Sequence, residues 1–496
     1  MTDQTTSARG NEPATSRLQE VKIRMYRQGL GDCFLLTFAR PIGPYYMVID
    51  CGVFTGTNEM KKRLTAVTQD IKITTDNHIH RLVITHEHYD HLSGFIHAYD
   101  LWKDIKIDEV WCSWVEKPGD QDGVALKQGI TKRLDNLRRA MRAFPATTTE
   151  LKGQKNKVKY LLDFHGDDTT DMGVASGPRS VRAALEWLKT RQNAAISYRE
   201  PGEPPTQLPG TKARIFVLGP PRNETLLGRM NSTGAAGEVY GLGTRAQLSD
   251  SFVAALNPGS ADIGERDIVN QCFPFDSYYR IDVEQVEQSE HASFFKRYYG
   301  SPTGSSQSGK EAWRRIDHDW LLAADQFALN LDNVVNNTSL AMAIELTETG
   351  KVLLFPGDAQ VGNWQSWEEI KWELKMRDGS TRKVTGPDLL ARTVFYKVGH
   401  HGSHNATLRN RGLEIMAANQ DLVAMIPVDE AVVKDKGWQM PFGPILDKLK
   451  EKTEGRVLVA FAGHPPDSSV SSARREEFKQ ALSPENDLYI EYTLHG

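Results

Sequence analysis

The sequence predicts an α+β fold in which two β-sheets pack face to face and helices cover their outer faces. Short apolar runs that end at Gly or Asp occur in two blocks, at about 21–110 and 330–496. Such runs are typical of buried strands joined by tight turns. Amphipathic segments lie between and after the blocks. With 496 residues, 39% of them hydrophobic, the chain can bury a large core.

The first block contains four predicted strands, in the segments VKIRMY, CFLLTF, YYMVIDCG and RLVITHEHYDH. A GLGD turn separates the first two, and the apolar run of the fourth, Leu82 to Ile84, passes directly into polar residues. The next segment, HLSGFIHAYDLW, is predicted to be helical. Apolar residues at helical spacing predict a further helix at 124–143, with one face formed by Ile130, Leu134, Leu137 and Met141.

The second block follows a helix at Ser180 to Arg191, a strand in ARIFVLGPP, and a stretch at about 222–320 that is rich in Gly, Ser, Asn and charge. Its predicted strands lie in SLAMAIEL, KVLLFPGD, TVFYKVGHH, DLVAMIPV, RVLVAFAG and DLYIEYTL, with a helix on each side of RVLVAFAG. We expect residues 1–18 to be a disordered lead-in. Residues 19–496 are expected to form one domain, with inserted segments at about 115–175 and 222–325.

Composition narrows the classes of partner and location. The net charge of -4 gives no overall attraction to nucleic acid, so any such contact must be local. No apolar run approaches 18 residues, so we expect no membrane span and no membrane partner. The four cysteines are widely spaced without a CxxC pair, which favours buried free thiols and a cytoplasmic location. An oligomer is compatible with this composition.

The segment THEHYDH, at 85–91, is the strongest functional signal. In extended backbone the side chains of His86 and His88 point to the same side, and Asp90 and His91 follow where the chain turns into a helix. Three imidazoles and a carboxylate form a ligand set suited to Zn²⁺, and less tightly to Mn²⁺ or Fe²⁺. We expect His86 and His88 to hold one ion, and Asp90 and His91 to hold a second.

The segments GLGDCFLL, VIDCG, THEHYDH, NNTSL, PGD and HHGSHNAT follow one another in this order. In this respect the chain resembles the metallo-β-lactamase-fold hydrolases. It is most similar to the branch that includes the metallo-hydrolase domain of bacterial competence (DNA-uptake) channels. The resemblance implies an αββα sandwich, here with a large insertion between the HxHxDH motif and the strand of the bridging aspartate.

The resemblance also implies roles for residues outside THEHYDH. Asp358, at the end of LLFPGD, would bridge two ions, and Asp50 would hydrogen-bond a ligating histidine from outside the ligand set. A histidine of KVGHHGSHNAT would complete the second ion's ligands. Either His400 or His401 is the candidate, with His401 favoured because it directly precedes the Gly402 turn.

One departure from the family pattern concerns the first ion. Most two-metal members have a further histidine before the bridging aspartate, whereas Asn336 and Asn337 stand before the SLAMAIEL strand. Asn337 is therefore expected beside the ligands rather than among them. His318 is a weaker candidate ligand. The first ion would then have only His86, His88 and Asp358 with water, so one-ion occupancy is an alternative to two.

The resulting prediction is a metal-dependent hydrolase that uses a metal-bound hydroxide. Asp90 or Asp358 would orient the nucleophile in addition to serving as a ligand. Ser403 and His404, just past the ligand loop, are expected to contact the substrate, and His404 would donate a proton or bind an anionic oxygen. The alternative for His404 is a loop residue that only helps the turn to fold.

The sequence indicates the class of substrate less clearly than it indicates the metal site. Residues 125–160 carry ten Lys or Arg, most of them opposite the apolar stripe of the predicted helix, and this face could follow a phosphodiester backbone or simply be solvated. A phosphodiesterase or nuclease is therefore our first hypothesis. The alternatives are a hydrolase of ester, thioester, lactone or amide bonds in a small molecule, and a metal-binding module with weak or partner-dependent catalysis.

Overall fold

The computed structural model describes residues 20–143, 149–166, 177–229, 286, 288–299, 328–375, 379–416 and 421–495. The predicted N-terminal lead-in, most of the predicted insertion at 222–325, His318 and Cys272 lie outside the described residues. The other three cysteines, Cys33, Cys51 and Cys112, are buried free thiols. None of the described helices combines the length and the apolar character needed to cross a bilayer.

One seven-stranded sheet is built mainly from the first block of the sequence. Its strands lie in the order β16-β1-β2-β3-β4-β5-β6. The pairs β3–β4, β4–β5 and β5–β6 are parallel, and the other three pairs are antiparallel. The strands are β1 (Glu20–Tyr26), β2 (Phe34–Phe38), β3 (Tyr45–Ile49), β4 (His78–Val83), β5 (Lys106–Ser113), β6 (Ala195–Arg199) and β16 (Tyr489–His495).

A second seven-stranded sheet is built mainly from the second block, in the order β15-β14-β13-β10-β9-β8-β7. The pairs β10–β13, β13–β14 and β14–β15 are parallel. Its strands are β7 (Thr206–Gln207), β8 (Ala213–Val217), β9 (Met342–Leu346), β10 (Val352–Phe355), β13 (Thr393–Lys397), β14 (Val423–Ile426) and β15 (Val457–Val459). A separate hairpin consists of β11 (Lys371–Lys375) and β12 (Thr381–Thr385).

Helices connect these strands. Up to residue 299 they are α1 (Met60–Thr74), α2 (Tyr89–His97), α3 (Tyr99–Trp102), α4 (Gln121–Ala143), α5 (Thr149–Asp163), α6 (Val181–Lys189), α7 (Glu224–Leu227) and α8 (Ala292–Tyr299). The described remainder has α9 (328–337), α10 (Val361–Ser366), α11 (Gly386–Ala391), α12 (Glu414–Met416), α13 (Glu430–Asp435), α14 (Gly443–Lys452) and α15 (Arg475–Ala481).

The two sheets share one hydrophobic core because their strands alternate in the side chains that they present. Ile23 and Phe34 of the first sheet and Ile344 and Leu353 of the second belong to the same buried cluster. Their neighbours along the strands face the other way, and Leu354 packs in the cluster that includes α10, α11 and α14. The predicted arrangement of two sheets flanked by helices is therefore confirmed.

The inserted region contributes its own small core. The predicted apolar stripe of α4 packs against α5 and α9 in a cluster that includes Leu137, Val158 and Leu331. Sequence analysis predicted no helix at the position of α5, and it missed β5, β6 and the β11–β12 hairpin. The strands β5 and β6 escaped because charged and half-buried residues interrupt their apolar patterns.

The inter-sheet core predicts the stability effect of one substitution. Leu353 is fully buried between the sheets, so Leu353→Ala should lower the free energy of unfolding by about 2–5 kcal/mol. Ile42 is 79% exposed, and Ile42→Ala should change it by less than about 0.5 kcal/mol. Denaturant unfolding followed by circular dichroism measures both values, and equal effects would contradict the placement of this core.

Candidate metal centre

Four side chains from three separate parts of the chain meet where the two sheets adjoin. Asp90 and His91 lie in the first turn of α2, Asp358 follows β10, and His401 lies in the turn after β13. Each offers a ligand atom, and the four atoms all lie within 4.8 Å of one another. All four residues are buried. We refer to Asp90, His91, Asp358 and His401 as the N2O2 cluster.

Nitrogen and oxygen atoms alternate around the N2O2 cluster. His401 Nε2 lies 2.9 Å from Asp90 Oδ2, and His91 Nε2 lies 3.1 Å from Asp358 Oδ2. The corresponding cross distances are 3.6 Å, from His91 to Asp90, and 3.8 Å, from His401 to Asp358. Asp90 Oδ1 is buried and has no hydrogen-bond partner among the described residues. Two imidazoles and two carboxylates fit a divalent cation such as Zn²⁺.

Outer contacts orient both imidazoles of the N2O2 cluster. His91 Nδ1 lies 2.8 Å from Asp50 Oδ2, and His401 Nδ1 lies 2.7 Å from the carbonyl oxygen of Pro427. With Nδ1–H donating outward, each ring directs Nε2 into the cluster, which is the arrangement that metal-binding histidines adopt. Asp50 also accepts hydrogen bonds from the backbone N–H and the hydroxyl of Thr85. The structure thus brings Asp50 to the place that the sequence indicated.

A buried lysine, which sequence analysis missed, lies next to the cluster. Lys397 Nζ is 3.1 Å from Asp358 Oδ1, donates to the carbonyl oxygen of Gly357, and forms an ion pair with Asp32. All three side chains of this ion-paired group are buried. The available signal was a charged residue at the end of the otherwise apolar strand β13, together with the aspartate of GLGD.

Charge and burial act in opposite directions on the cluster's pKa values. Burial tends to lower the pKa of His91, but Asp358 and Asp90 outweigh it and raise this pKa well above its ordinary value. Burial likewise opposes protonation of His401, whose pKa is nevertheless raised by its hydrogen bond to Asp90. Burial tends to raise the pKa of Asp358, but Lys397 and His91 together hold it well below its usual range.

His86 and His88 adjoin the N2O2 cluster without belonging to it. His86 Nε2 lies 3.0 Å from His88 Nδ1. Burial, followed by the neighbouring imidazoles, lowers the pKa of both rings well below the ordinary value, so both are neutral at pH 7. The other nitrogen of His88, Nε2, lies 3.8 Å from Asp332 Oδ1, and His165 belongs to the same group of possible ligands. Sequence analysis offered no strong signal for either residue.

The structure gives the histidines of KVGHHGSHNAT unequal positions. His401 belongs to the N2O2 cluster, whereas His400 Nδ1 lies 3.1 Å from Gln360 Nε2 and 2.9 Å from Ser403 Oγ. Both His400 and His401 have positive φ angles, 43° and 52°. His400 contributes its backbone N–H to Asp358. This strained turn is what directs one ring into the cluster and the other away from it.

The structure also places the two predicted substrate contacts, Ser403 and His404, and the residue predicted beside the ligands, Asn337. Ser403 is buried and engaged with His400 and Asn405. His404 is exposed, with its ring edge-on to Phe442. Asn337 donates to the carbonyl oxygens of residues 227 and 229 and accepts from the backbone N–H groups of residues 360 and 363. Asn337 therefore positions the loop after Asp358 through its backbone.

A close backbone approach holds the motif in place. A Cβ atom at Gly52 would lie 2.3 Å from the carbonyl carbon of Asp90, so only glycine fits there. The backbone N–H of Cys51 donates to the carbonyl oxygen of His91. The loop after β3 is thereby fixed against the first turn of α2, which carries two members of the cluster.

Comparison with known proteins adds no assignment, since no protein family and no curated protein matches the chain.

The raised pKa values predict opposite pH responses with and without metal. Protonated His91 and His401 stabilise the metal-free fold below their unfolded pKa of about 6.5, and this contribution is lost as pH rises through their higher folded values. A metal ion requires neutral rings, so apparent Zn²⁺ affinity should rise over the same interval. The melting temperature of chelator-treated protein should therefore fall above about pH 6.5.

Thermal unfolding from about pH 6 to 8.5, with and without Zn²⁺, measures this response. In the variant His401→Gln, the melting temperature should depend less on pH, both with and without Zn²⁺. Zn²⁺ affinity that is independent of pH would contradict the assignment of these two histidines as ligands.

Proposed function

We propose that the protein is a metal-dependent hydrolase of the metallo-β-lactamase αββα type, acting on phosphodiester bonds. The observation that carries this proposal is the buried N2O2 cluster, whose members come from both sheets. Its oriented imidazoles and paired carboxylates fit Zn²⁺, and Mn²⁺ is the alternative ion. The order of the motifs along the chain supports the same family.

The residues of the cluster have distinct tasks in this proposal. A bound divalent cation supplies Lewis acidity and lowers the pKa of water toward neutrality. Asp90 Oδ2, which lies 2.9 Å from His401 Nε2, would face the cation together with that nitrogen, and Oδ1, which has no hydrogen-bond partner among the described residues, is left to accept a hydrogen bond from a nucleophilic water. Lys397 keeps Asp358 ionised. His404, exposed beside the ligand loop, is the proposed proton donor to the leaving group.

A basic groove supports an anionic substrate. The groove has a volume of about 670 Å³, and it is lined by six cationic and three anionic side chains: Lys117, Lys127, Lys132, Arg139, Arg182, Lys189, Glu116, Asp135 and Glu186. An adjoining cavity of about 60 Å³ shares part of this lining and extends to Glu87 and His165. Glu87 lies between His86 and His88 in the chain, so the groove approaches the metal-binding motif.

The basic residues predicted to form one face at 125–160 have different surroundings in the structure. Lys127 forms ion pairs with Glu87 and the buried Glu116, so it serves the fold rather than a ligand. Lys132 and Arg139 are exposed on the wall of the groove, where Arg139 also donates a hydrogen bond to Asn136 Oδ1. Their exposure makes them the two residues that we propose for contact with a phosphodiester backbone, in a chain with no overall positive charge.

A panel of substrates tests the reaction class. Zinc- and manganese-loaded protein should hydrolyse bis-p-nitrophenyl phosphate and single-stranded DNA. Asp90→Asn should lower kcat by a factor of about 100 or more, because it removes a ligand and an orienting oxygen together. Turnover of a chromogenic carboxylic ester without phosphodiester turnover would contradict the proposal and favour the ester hydrolase. Metal binding without either activity would favour the non-catalytic module.

A pair of substitutions that removes two positive charges tests the groove. Lys132→Gln with Arg139→Gln should raise KM for single-stranded DNA and flatten its dependence on salt, since two phosphate contacts are lost. The small substrate bis-p-nitrophenyl phosphate should be unaffected. Lys61→Gln with Lys450→Gln removes two exposed lysines outside the groove lining and is the matched control. Equal effects of the two pairs would exclude the groove as the binding surface.

A further inference from the structure

A second group of metal-capable side chains lies on the other side of His88. His165 follows the end of α5, in the inserted segment at about 115–175, and Asp332 lies on α9, which follows the second inserted segment; α5 and α9 both pack against α4. One ligand atom from each of His88, His165 and Asp332 lies within 4.8 Å of the others. His88 Nε2 and Asp332 Oδ1 are 3.8 Å apart.

Three nitrogen or oxygen atoms of this group lack partners. His88 Nε2, His165 Nε2 and Asp332 Oδ1 are all buried, and none has a hydrogen-bond partner among the described residues. His165 is only partly buried as a residue, but its Nε2 is covered. A buried polar atom without a partner costs about 1–3 kcal/mol. Three such atoms on neighbouring side chains indicate a ligand that satisfies all of them.

Hydrogen bonds fix which nitrogen of His88 is free. Thr85 donates its hydroxyl proton to Asp50, so its oxygen acts as an acceptor toward His86 Nδ1 at 3.0 Å, which is closer to this nitrogen than Ser339 Oγ at 3.3 Å. His86 Nε2 is then an acceptor, and His88 Nδ1–H, at 3.0 Å, is the donor to it. The lone pair of His88 Nε2 is consequently directed toward Asp332.

The carboxylate of Asp332 is oriented in the same way. Asn336 Nδ2 donates to Asp332 Oδ2 at 3.0 Å, which leaves Oδ1 turned toward His88. Asn336 is itself fully buried on the same helix. An outer hydrogen bond of this kind is the usual support of a carboxylate ligand.

We propose that His88 Nε2, His165 Nε2 and Asp332 Oδ1 bind a divalent cation, Zn²⁺ in preference to Mn²⁺, at a site separate from the N2O2 cluster. Two neutral imidazoles and one carboxylate give the zinc-loaded site a net charge of +1. The three protein ligands leave a position for water or an anion. His86 acts as a positioning residue that holds the tautomer of His88, instead of sharing an ion with it.

The site lies next to a cavity. His165 lines the cavity of about 60 Å³ that adjoins the basic groove, so one of the three proposed ligands borders this space. A cation at the inner end of that groove would attract a phosphodiester anion. This last consequence rests on the proposed function, whereas binding of the ion does not.

Metal stoichiometry tests the proposal without any assay of turnover. The full chain is stripped with EDTA and reconstituted by dialysis against Zn²⁺, and zinc per chain is measured by mass spectrometry. Wild type should bind two ions. His165→Gln and Asp332→Asn should each retain one, with the affinity for the other lowered at least about 100-fold, because a ligand is worth more than the 10–100-fold of an outer contact.

Matched variants separate the two sites. Asp90→Asn should lose the ion of the N2O2 cluster and keep this one, and His464→Gln, which alters a histidine outside the candidate groups, should bind as wild type does. His165 Nε2 makes no hydrogen bond among the described residues, so its replacement removes none and should not disturb folding; circular dichroism checks this.

Two results would overturn the proposal. The first is wild-type zinc content and affinity in His165→Gln. The second is a loss of zinc content and affinity in Asp332→Asn that His165→Gln does not share. That pattern is expected if the ion is held between His86 and His88 and Asp332 only orients one of these histidines. Absence of hydrolysis in every variant would bear on the proposed function alone.

Discussion

The contact between His91 Nε2 and Asp358 Oδ2 is the interaction on which the rest of the site depends. It joins α2, which follows the first sheet, to the end of β10 in the second sheet, and both side chains are fully or almost fully buried. Removing one partner of such a buried pair typically costs about 3–5 kcal/mol, because the other charge is left uncompensated. The end of β4, which leads into α2, and the end of β10 must therefore lie next to each other when the two sheets pack.

Compensation of negative charge explains the surroundings of this contact. Asp32, Asp50, Asp90 and Asp358 are all buried near the junction, and Lys397 is the lysine that reaches two of them. Protonated His91 and His401 supply the remaining positive charge when no metal is bound. A divalent cation can replace both protons. The same residues thus stabilise the metal-free fold and serve as ligands, which couples metal affinity to pH.

The sequence indicated the parts of this site that are local in the chain. THEHYDH predicted Asp90 and His91, and the family resemblance implied roles for Asp50 and Asp358 at the ends of predicted strands, because strand, turn and ligand are adjacent in sequence. The choice between His400 and His401 required the backbone of the turn, where both residues adopt positive φ angles. Neither periodicity nor composition specifies which ring a left-handed turn directs inward.

The parts that sequence analysis missed depend on contacts between distant segments. Asp332 and His165 reach His88 only because α4, α5 and α9 pack in a core of their own. Lys397 is a single charged residue at the end of an apolar strand, which gave no sign of a partner, and its partner Asp32 is far away in the sequence. Family resemblance suggested a missing ligand near residues 336 and 337, whereas the fold presents the carboxylate of Asp332 on α9 and the imidazole of His165 after α5 instead.

Anomalous diffraction at the zinc edge, from crystals of the full chain grown with Zn²⁺, tests the central claim most directly. The account predicts a peak at about 2.0–2.2 Å from ligand atoms of Asp90, His91, Asp358 and His401. A zinc-containing crystal with no peak among these four side chains would contradict it.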